Sequence, residues 1–257
     1  MNTKVKISSI IFLSMIVAGI AYMSFFLDEQ KPDSIAVIEM NGNILLPKDI
    51  YYEFAQLNDK NAFPELSAKL VADRLEKHPY IKSVDVLHRG SKLEININEK
   101  EFAALLFKSQ EQVLITSYGE IIPALPFTRQ MNYPIINEPK LVNEIKHFKS
   151  AYKHGDIVTG LKIIDVVKLL NADLYESLSE VDLRDGKDIL VYFSNFPYPI
   201  VVGRGNEIRK MIYFEKLWQH FAGKELNGIL NYVDLRYNKL IYLGVDPLND
   251  DNIGSQS

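Results

Sequence analysis

The chain opens on a run of 21 residues, Ile7 to Leu27, that contains no Asp, Glu, Lys, Arg or His. As a helix rising about 1.5 Å per residue it would reach about 30 Å, the thickness of a bilayer's hydrocarbon core. Lys4, Lys6 and the α-amine precede the run and Asp28-Glu29 follow it. That order of charge places residues 1–6 in the cytoplasm and everything from Asp28 onward outside. Two other readings compete. A cleaved signal peptide also sets basic residues before an apolar core, and Gly19-Ile-Ala21 imitates its small-x-small cleavage site. The apolar run continues through Tyr22 to Leu27, however, past the roughly 7–15 residues of a signal core. A globular helix would show a polar face, and none interrupts the run. The pattern therefore predicts one transmembrane helix over 7–27.

Beyond Ser34 the periodicity becomes mixed. Ile35 to Met40 reads as a strand broken at Asn41-Gly42. Pro47 opens a helix that carries Ile50, Tyr51, Phe54 and Leu57 on one face, and a second helix with Leu66, Leu70 and Leu75 must end by His78-Pro79. Ile81–Leu87 and Leu93–Asn98 alternate with period two around the turn His88-Arg-Gly-Ser91, a hairpin. Strand, helix, helix, strand, strand makes a small α+β unit over 34–101.

Short strands follow at Ala103–Phe107, Gln112–Thr116, Ile121-Ile122 and Tyr133–Ile136. Apolar residues at 141, 142, 145, 148 and 152 have helical spacing, and Thr159 is placed to cap a helix running to Leu170. The last third is mostly sheet: Leu178–Leu183 with Ile189–Phe193, then Tyr198–Val202, a helix over Ile208–Phe221, and a closing hairpin of Ile229–Leu235 and Lys239–Val245. Residues 102–245 thus form a mixed β domain with flanking helices. Residues 246–257, rich in Asp and Asn, read as a disordered tail.

Composition adds constraints to this pattern. The net charge of −4 argues against a general nucleic-acid binder. Without Lys4 and Lys6 the remainder holds 27 basic and 33 acidic residues, so the part assigned outside is more acidic still and has no reason to lie on anionic lipid. With no cysteine there is no disulfide and no thiol or Cys-based metal chemistry.

Catalytic signatures are hard to assemble. The five histidines, 78, 88, 147, 154 and 220, have no paired metal-ligand spacing, and G-x-S-x-G, S-x-x-K and the P-loop pattern do not occur. Gly203-Arg-Gly205 before a helix reads as a strand-to-helix turn rather than an anion cradle. Asp182 with Asp185, or Glu99 with Glu101, has the residue types of a glycosidase pair, but neither lies in an aromatic-rich stretch that would line a sugar cleft. No catalytic residue, metal or cofactor is expected.

Several motifs do carry a resemblance. The run His78-Pro-Tyr-Ile81, Val84-Asp-Val86, Leu93-Glu-Ile95 and Glu99-Lys100 resembles the POTRA-type (β-α-α-β-β) domain of the FtsQ/DivIB family of bacterial cell-division proteins, with Phe102 where that family usually has Pro. Val202-Gly-Arg204 with Ile208-Arg-Lys210 and Phe214, and Tyr232-Val-Asp-Leu-Arg-Tyr237, are similar to its β domain; Thr116 and Asn137 depart from its usual Asp and Gly. The resemblance implies a non-enzymatic, single-pass scaffold at the division septum of the cytoplasmic (inner) membrane. It would bind FtsB/FtsL-like partners outside the membrane by strand addition and couple them to septal wall synthesis, with its POTRA-type domain and anchor meeting other divisome proteins. The rival readings are a POTRA-containing component of outer-membrane protein assembly or secretion, and an anchored wall hydrolase.

A final strand with no later partner in the chain can lie at a sheet edge and accept a strand from another protein. Lys239, Ile241 and Leu243 would face one side of it, and Leu240, Tyr242 and Gly244 the other. Tyr237 and Tyr242, aromatic bodies with polar tips, suit an interface. The partner-binding set is therefore Tyr237, Lys239, Ile241, Tyr242, Leu243 and Gly244. Asp234 and Arg236, two apart on one strand face, are expected to have a structural role, pairing with each other or ordering the hairpin.

Overall fold

The computed structural model describes residues 3–26, 35–108, 111–129, 132–221, 230–237 and 240–245. Its first element, α1, is the helix Thr3–Phe26. The transmembrane helix expected over 7–27 is corrected here: among the described residues, no helix is long and apolar enough to cross a membrane.

A small unit follows, built from β1 (Val37–Asn41), α2 (Lys48–Phe54), α3 (Ala68–Leu75), β2 (Ile81–Arg89) and β3 (Lys92–Glu99). Its sheet runs β1-β3-β2, with β1 parallel to β3 and β2 antiparallel to it. The chain can leave β1 as it does only because residue 42 is glycine. Its φ is +87°, and a Cβ there would fall on the carbonyl oxygen of Ile97. Ser67 starts α3 by accepting a hydrogen bond from Leu70 N at 3.2 Å. Val71 and Leu75, one turn apart, are buried, whereas Leu70, expected on the inner face, turns outward.

His78, just past α3, is packed rather than merely a stop signal. It is 3% exposed and sits edge-on to Tyr51, Phe54 and Tyr80, with ring centroids 4.7, 4.8 and 5.8 Å away. Its Nδ1 accepts from Tyr80 N at 3.2 Å. Burial, helped by the charge of Lys100, pushes its pKa down from 6.5 to about 4. The folded protein therefore holds this ring neutral while the unfolded chain protonates it. Stability should fall as pH drops from about 6.5 to about 4 and level off below, by up to ~3 kcal/mol. Urea titrations across that range check this, and His78→Leu should lose this component of the pH dependence.

The second sheet has nine strands: β4 (Phe102–Lys108), β5 (Glu111–Thr116), β6 (Ile121–Pro123), β7 (Ile135–Asn137), β8 (Leu178–Asp182), β9 (Leu190–Phe193), β10 (Phe196–Val201), β11 (Leu230–Asp234) and β12 (Tyr242–Val245). Their order is β12-β11-β10-β9-β8-β7-β4-β5-β6. Three pairings are parallel, β4 with β7, β7 with β8, and β10 with β11. The helices α4 (Gly155–Leu170), α5 (Ala172–Ser177) and α6 (Glu207–Phe221) connect them. Ile163, Ile164 and Val167 of α4 and Phe214 of α6 share one core with Leu106, Ile115, Ile136, Val181 and Val191 of the sheet.

Two expectations change here. Residues 141–152 form no helix beyond the 3-10 turns Val142–Glu144 and Ala151–Lys153. The segment is captured instead by β6: Phe148 N donates to Ile121 O at 2.7 Å, and Ile121 N donates to Lys149 O at 3.0 Å. Thr159 is no cap, because α4 begins at Gly155 and the Thr159 hydroxyl donates within it to Gly155 O at 2.9 Å. At the junction, Phe102 meets Tyr80 at 5.3 Å and Tyr133 at 6.1 Å. With Leu114 and Ile122 it belongs to the core of the small unit. The two sheets are distinct while that core draws on both.

Candidate protein-binding edge of the large sheet

The two ends of the nine-stranded sheet differ. At β6 the outer edge is occupied by residues 148–150, through the bonds above and a bridge of Glu120 to Ser150. At β12 the only partner strand among the described residues is β11. The small sheet also has two edges, but β2 carries Lys82, Asp85 and Arg89, and Glu39 of β1 is held by Lys92 at 2.8 Å. Charges of this kind discourage strand pairing. β12 reads Tyr-Leu-Gly-Val and has none.

The edge is held in place by a clasp just before it. Arg236 Nη2 donates to Asp234 Oδ2 at 2.6 Å, its Nε donates to both carboxylate oxygens at 3.0 and 3.1 Å, and its Nη1 reaches Asp188 at 2.8 Å. Burial acts to raise the Asp234 pKa, but the Arg236 hydrogen bonds and the charges of Arg236 and Lys210 outweigh it and hold the carboxyl below its usual value. Such a group adds stability above its unfolded pKa, and the contribution is lost as pH falls through the lower folded one. Asp234 is 3% exposed. Replacing Arg236 with Met leaves that carboxylate short of donors and should cost about 1–3 kcal/mol, read in thermal melts. Asp234 and Arg236 thus pair with each other, as their spacing suggested.

Tyr242 pairs across from Asp234, Leu243 from Val233 and Gly244 from Tyr232. Cross-strand neighbours share a sheet face, so Leu243 lies on the side of the buried Val233 and Tyr242 on the side of Tyr232. Tyr242 and Tyr237 meet edge-on at 4.7 Å. Tyr242, Leu243 and Val245 are 49, 44 and 51% exposed, so each still offers about half its surface.

Of the partner-binding set, the structure brings Tyr237 and Tyr242 together and leaves Leu243 half exposed on the other face of β12. Ile241 is half-buried and packs on the main core beside Leu217 and Tyr213 of α6, lining with them a cavity of about 540 Å³. Gly244 lies beneath the Tyr232 ring, where a Cβ would collide with that ring's atoms. Lys239 falls outside the described residues, as does the tail 246–257. Sequence reasoning missed Val245 and gave no contact role to Tyr232; both belong to the same alternating run, which was the available signal.

Other weighed residues have structural work. Arg204 Nη1 binds Asp156 at 2.8 Å and its other donors reach Lys187 O and Leu183 O, so Gly203-Arg-Gly205 is a corner clamped to α4. The Glu99 carboxylate is taken up by Ile44 N, Leu45 N and the Tyr51 hydroxyl. Asp182 accepts from Arg184 N at 2.9 Å and closes a turn.

Residues 104–236 match the family model for the C-terminal part of cell division protein FtsQ/DivIB, about half of the chain. The chain belongs to the FtsQ/DivIB family. Cell division protein DivIB of Clostridium botulinum (strain Loch Maree / Type A3) is 25% identical to it over 184 residues, 70% of this chain and 69% of that protein. FtsQ/DivIB proteins are non-catalytic scaffolds of cell division, so membership assigns this chain a division role, protein partners in the divisome and a place at the septum. The matched FtsQ/DivIB residues include β11 and Arg236 and stop short of β12.

Proposed function

We propose that this FtsQ/DivIB protein is a non-enzymatic scaffold that takes up an FtsB/FtsL-like division protein as an added strand on β12 and couples it to septal wall synthesis. One observation carries the reading: β12 ends the large sheet among the described residues with no strand beyond it, while the opposite end at β6 is covered. An added strand would satisfy the outward backbone groups of β12. Its side chains would meet Tyr242 with Tyr237 and Tyr232 on one face, and Leu243 with Val245 on the other.

Residues 34–101 are read as the family's POTRA-type domain and residues 102–245 as its β domain. The small unit then offers a second surface to other division proteins.

Hydrogen exchange read by mass spectrometry tests the strand addition. When the soluble part of an FtsB-like protein from the same organism is added, amides of Tyr242–Val245 should become protected and those of β6 should not change. A complex that forms with β12 amides exchanging as before would refute it.

A further inference from the structure

The segment 138–155 joins β7 to α4 and was expected to be partly helical. Its actual course is costly. Leu141 and Phe148, neither of them glycine, hold left-handed backbones with φ of 61° and 56°, a conformation that costs roughly 1–2 kcal/mol per residue. The strained path serves the core only in part. Val142, Ile145 and Ala151 turn inward, while Leu141, Phe148 and Tyr152 are each more than half exposed. The path is also fixed rather than loose, pinned to β6 at Phe148 and Lys149, to Gly119 O by Ala151 N at 2.6 Å, and to Asp156 by Lys140 N at 2.9 Å.

Along this path stand Lys140, Lys146, Lys149 and Lys153, which line a groove of about 670 Å³ against the start of α4. All four are exposed. Two carboxylates share the groove, Glu144 and Asp156. Asp156 is already answered by Arg204 at 2.8 Å, so the groove sets four lysines against the one carboxylate of Glu144. In a chain whose net charge is −4 this is a local reversal of sign.

We propose that this groove binds an acidic, amphipathic peptide segment of a partner protein, its carboxylates on the four lysines and its apolar side chains on Leu141, which lines the groove, and on Phe148, exposed next to Lys149 on the same segment. Charge complementarity selects an anion. The exposed Leu141 and Phe148 select a peptide over a phosphate polymer, which has no apolar side chains to place on them. The site is separate from β12. Eight strand spacings of about 4.8 Å put the two sheet ends about 38 Å apart, so both can be occupied together.

The test uses the full chain and a labelled short peptide in which Glu alternates with Leu, read by fluorescence anisotropy. An all-Glu peptide of equal length and inorganic polyphosphate are the comparisons. The Glu-Leu peptide should bind more tightly than either, and less tightly as salt is raised. Changing Lys140, Lys146, Lys149 and Lys153 together to Gln should weaken it about 30-fold, at the size usual for exposed charge pairs. Leu141→Asn with Phe148→Asn should bring the Glu-Leu peptide down to the affinity of the all-Glu peptide. Asn tolerates the left-handed conformation, so this variant should melt no lower than the parent, and lost binding cannot be ascribed to unfolding. No binding of the Glu-Leu peptide, equal binding of the all-Glu peptide or polyphosphate, or undiminished binding by the four-Gln variant overturns the proposal.

Discussion

Replacing Glu99 with leucine should destabilise the protein by ~4 kcal/mol, a large share of the 5–15 kcal/mol typical of a folded domain. Glu99 closes β3 and is nearly buried. Its carboxylate accepts from Ile44 N at 2.9 Å, from Leu45 N at 2.8 Å and from the Tyr51 hydroxyl. Leucine would leave all three donors without an acceptor beside Leu46 and Tyr51, which are fully buried. Each stranded donor costs about 1–3 kcal/mol. Burial first, and the bond to Glu99 second, push the Tyr51 phenol above the usual tyrosine range, so it remains a donor at any working pH.

Graded variants test the attribution. Tyr51→Phe removes one donor with its bond and should cost about 1 kcal/mol, and Glu99→Gln, which keeps one acceptor oxygen, should fall between the two. Because Phe102, Leu114 and Ile122 lie in the same core, the loss should reach β4 to β6 as well. Urea denaturation measures all three, and a Glu99→Leu protein as stable as the parent would show that the carboxylate is not what joins the 42–46 loop to β3.

The largest expected effect on binding is at Tyr242. On the strand-addition reading, Tyr242→Glu should weaken the FtsB-like partner by at least ~100-fold, since aromatic anchors near the centre of an interface are commonly worth 2–4 kcal/mol. A carboxylate there must be buried beside the incoming strand, which is costly for a charge. The cost to folding should be small. Tyr242 is half exposed and loses chiefly its edge-on contact with Tyr237, worth about 0.5–1.5 kcal/mol. Tyr242→Phe keeps the ring and should retain most of the affinity. Titration calorimetry on the three proteins decides the matter: equal affinities would move the partner away from β12.

Gly244→Ala separates packing from pairing. A Cβ at 244 would push the Tyr232 ring aside, and that ring is partly exposed and free to yield. Stability should then change little while the aromatic face presented to a partner is rebuilt.

Much of this arrangement follows from local pattern. Period-two alternation located the β2–β3 hairpin, Asn41-Gly42 marked the end of β1, and the turn after Tyr232-Val-Asp-Leu-Arg-Tyr237 marked the closing hairpin, because side-chain alternation and backbone freedom are properties of neighbouring residues. The same alternation held an unread signal. Leu93, Ile95, Ile97 and Glu99 lie on one face of β3, so a buried carboxylate was already implied, though not which donors it would meet.

The long-range terms were not legible in this way. Helical spacing over 141–152 was real, but the segment bonds instead to the edge of β6, a partner distant in the chain. The apolar run after Lys6 forms the helix α1, yet among the described residues no helix is long and apolar enough to cross a membrane. By itself the sequence determined most of the strands and helices, the family likeness, and that an uncharged, aromatic strand comes last. Tertiary structure alone decided that this strand stands at the open end of nine, that β6 at the other end is covered, and that four lysines converge on one groove. Each of these depends on pairing between residues far apart in the chain, and no window of neighbouring residues contains that information.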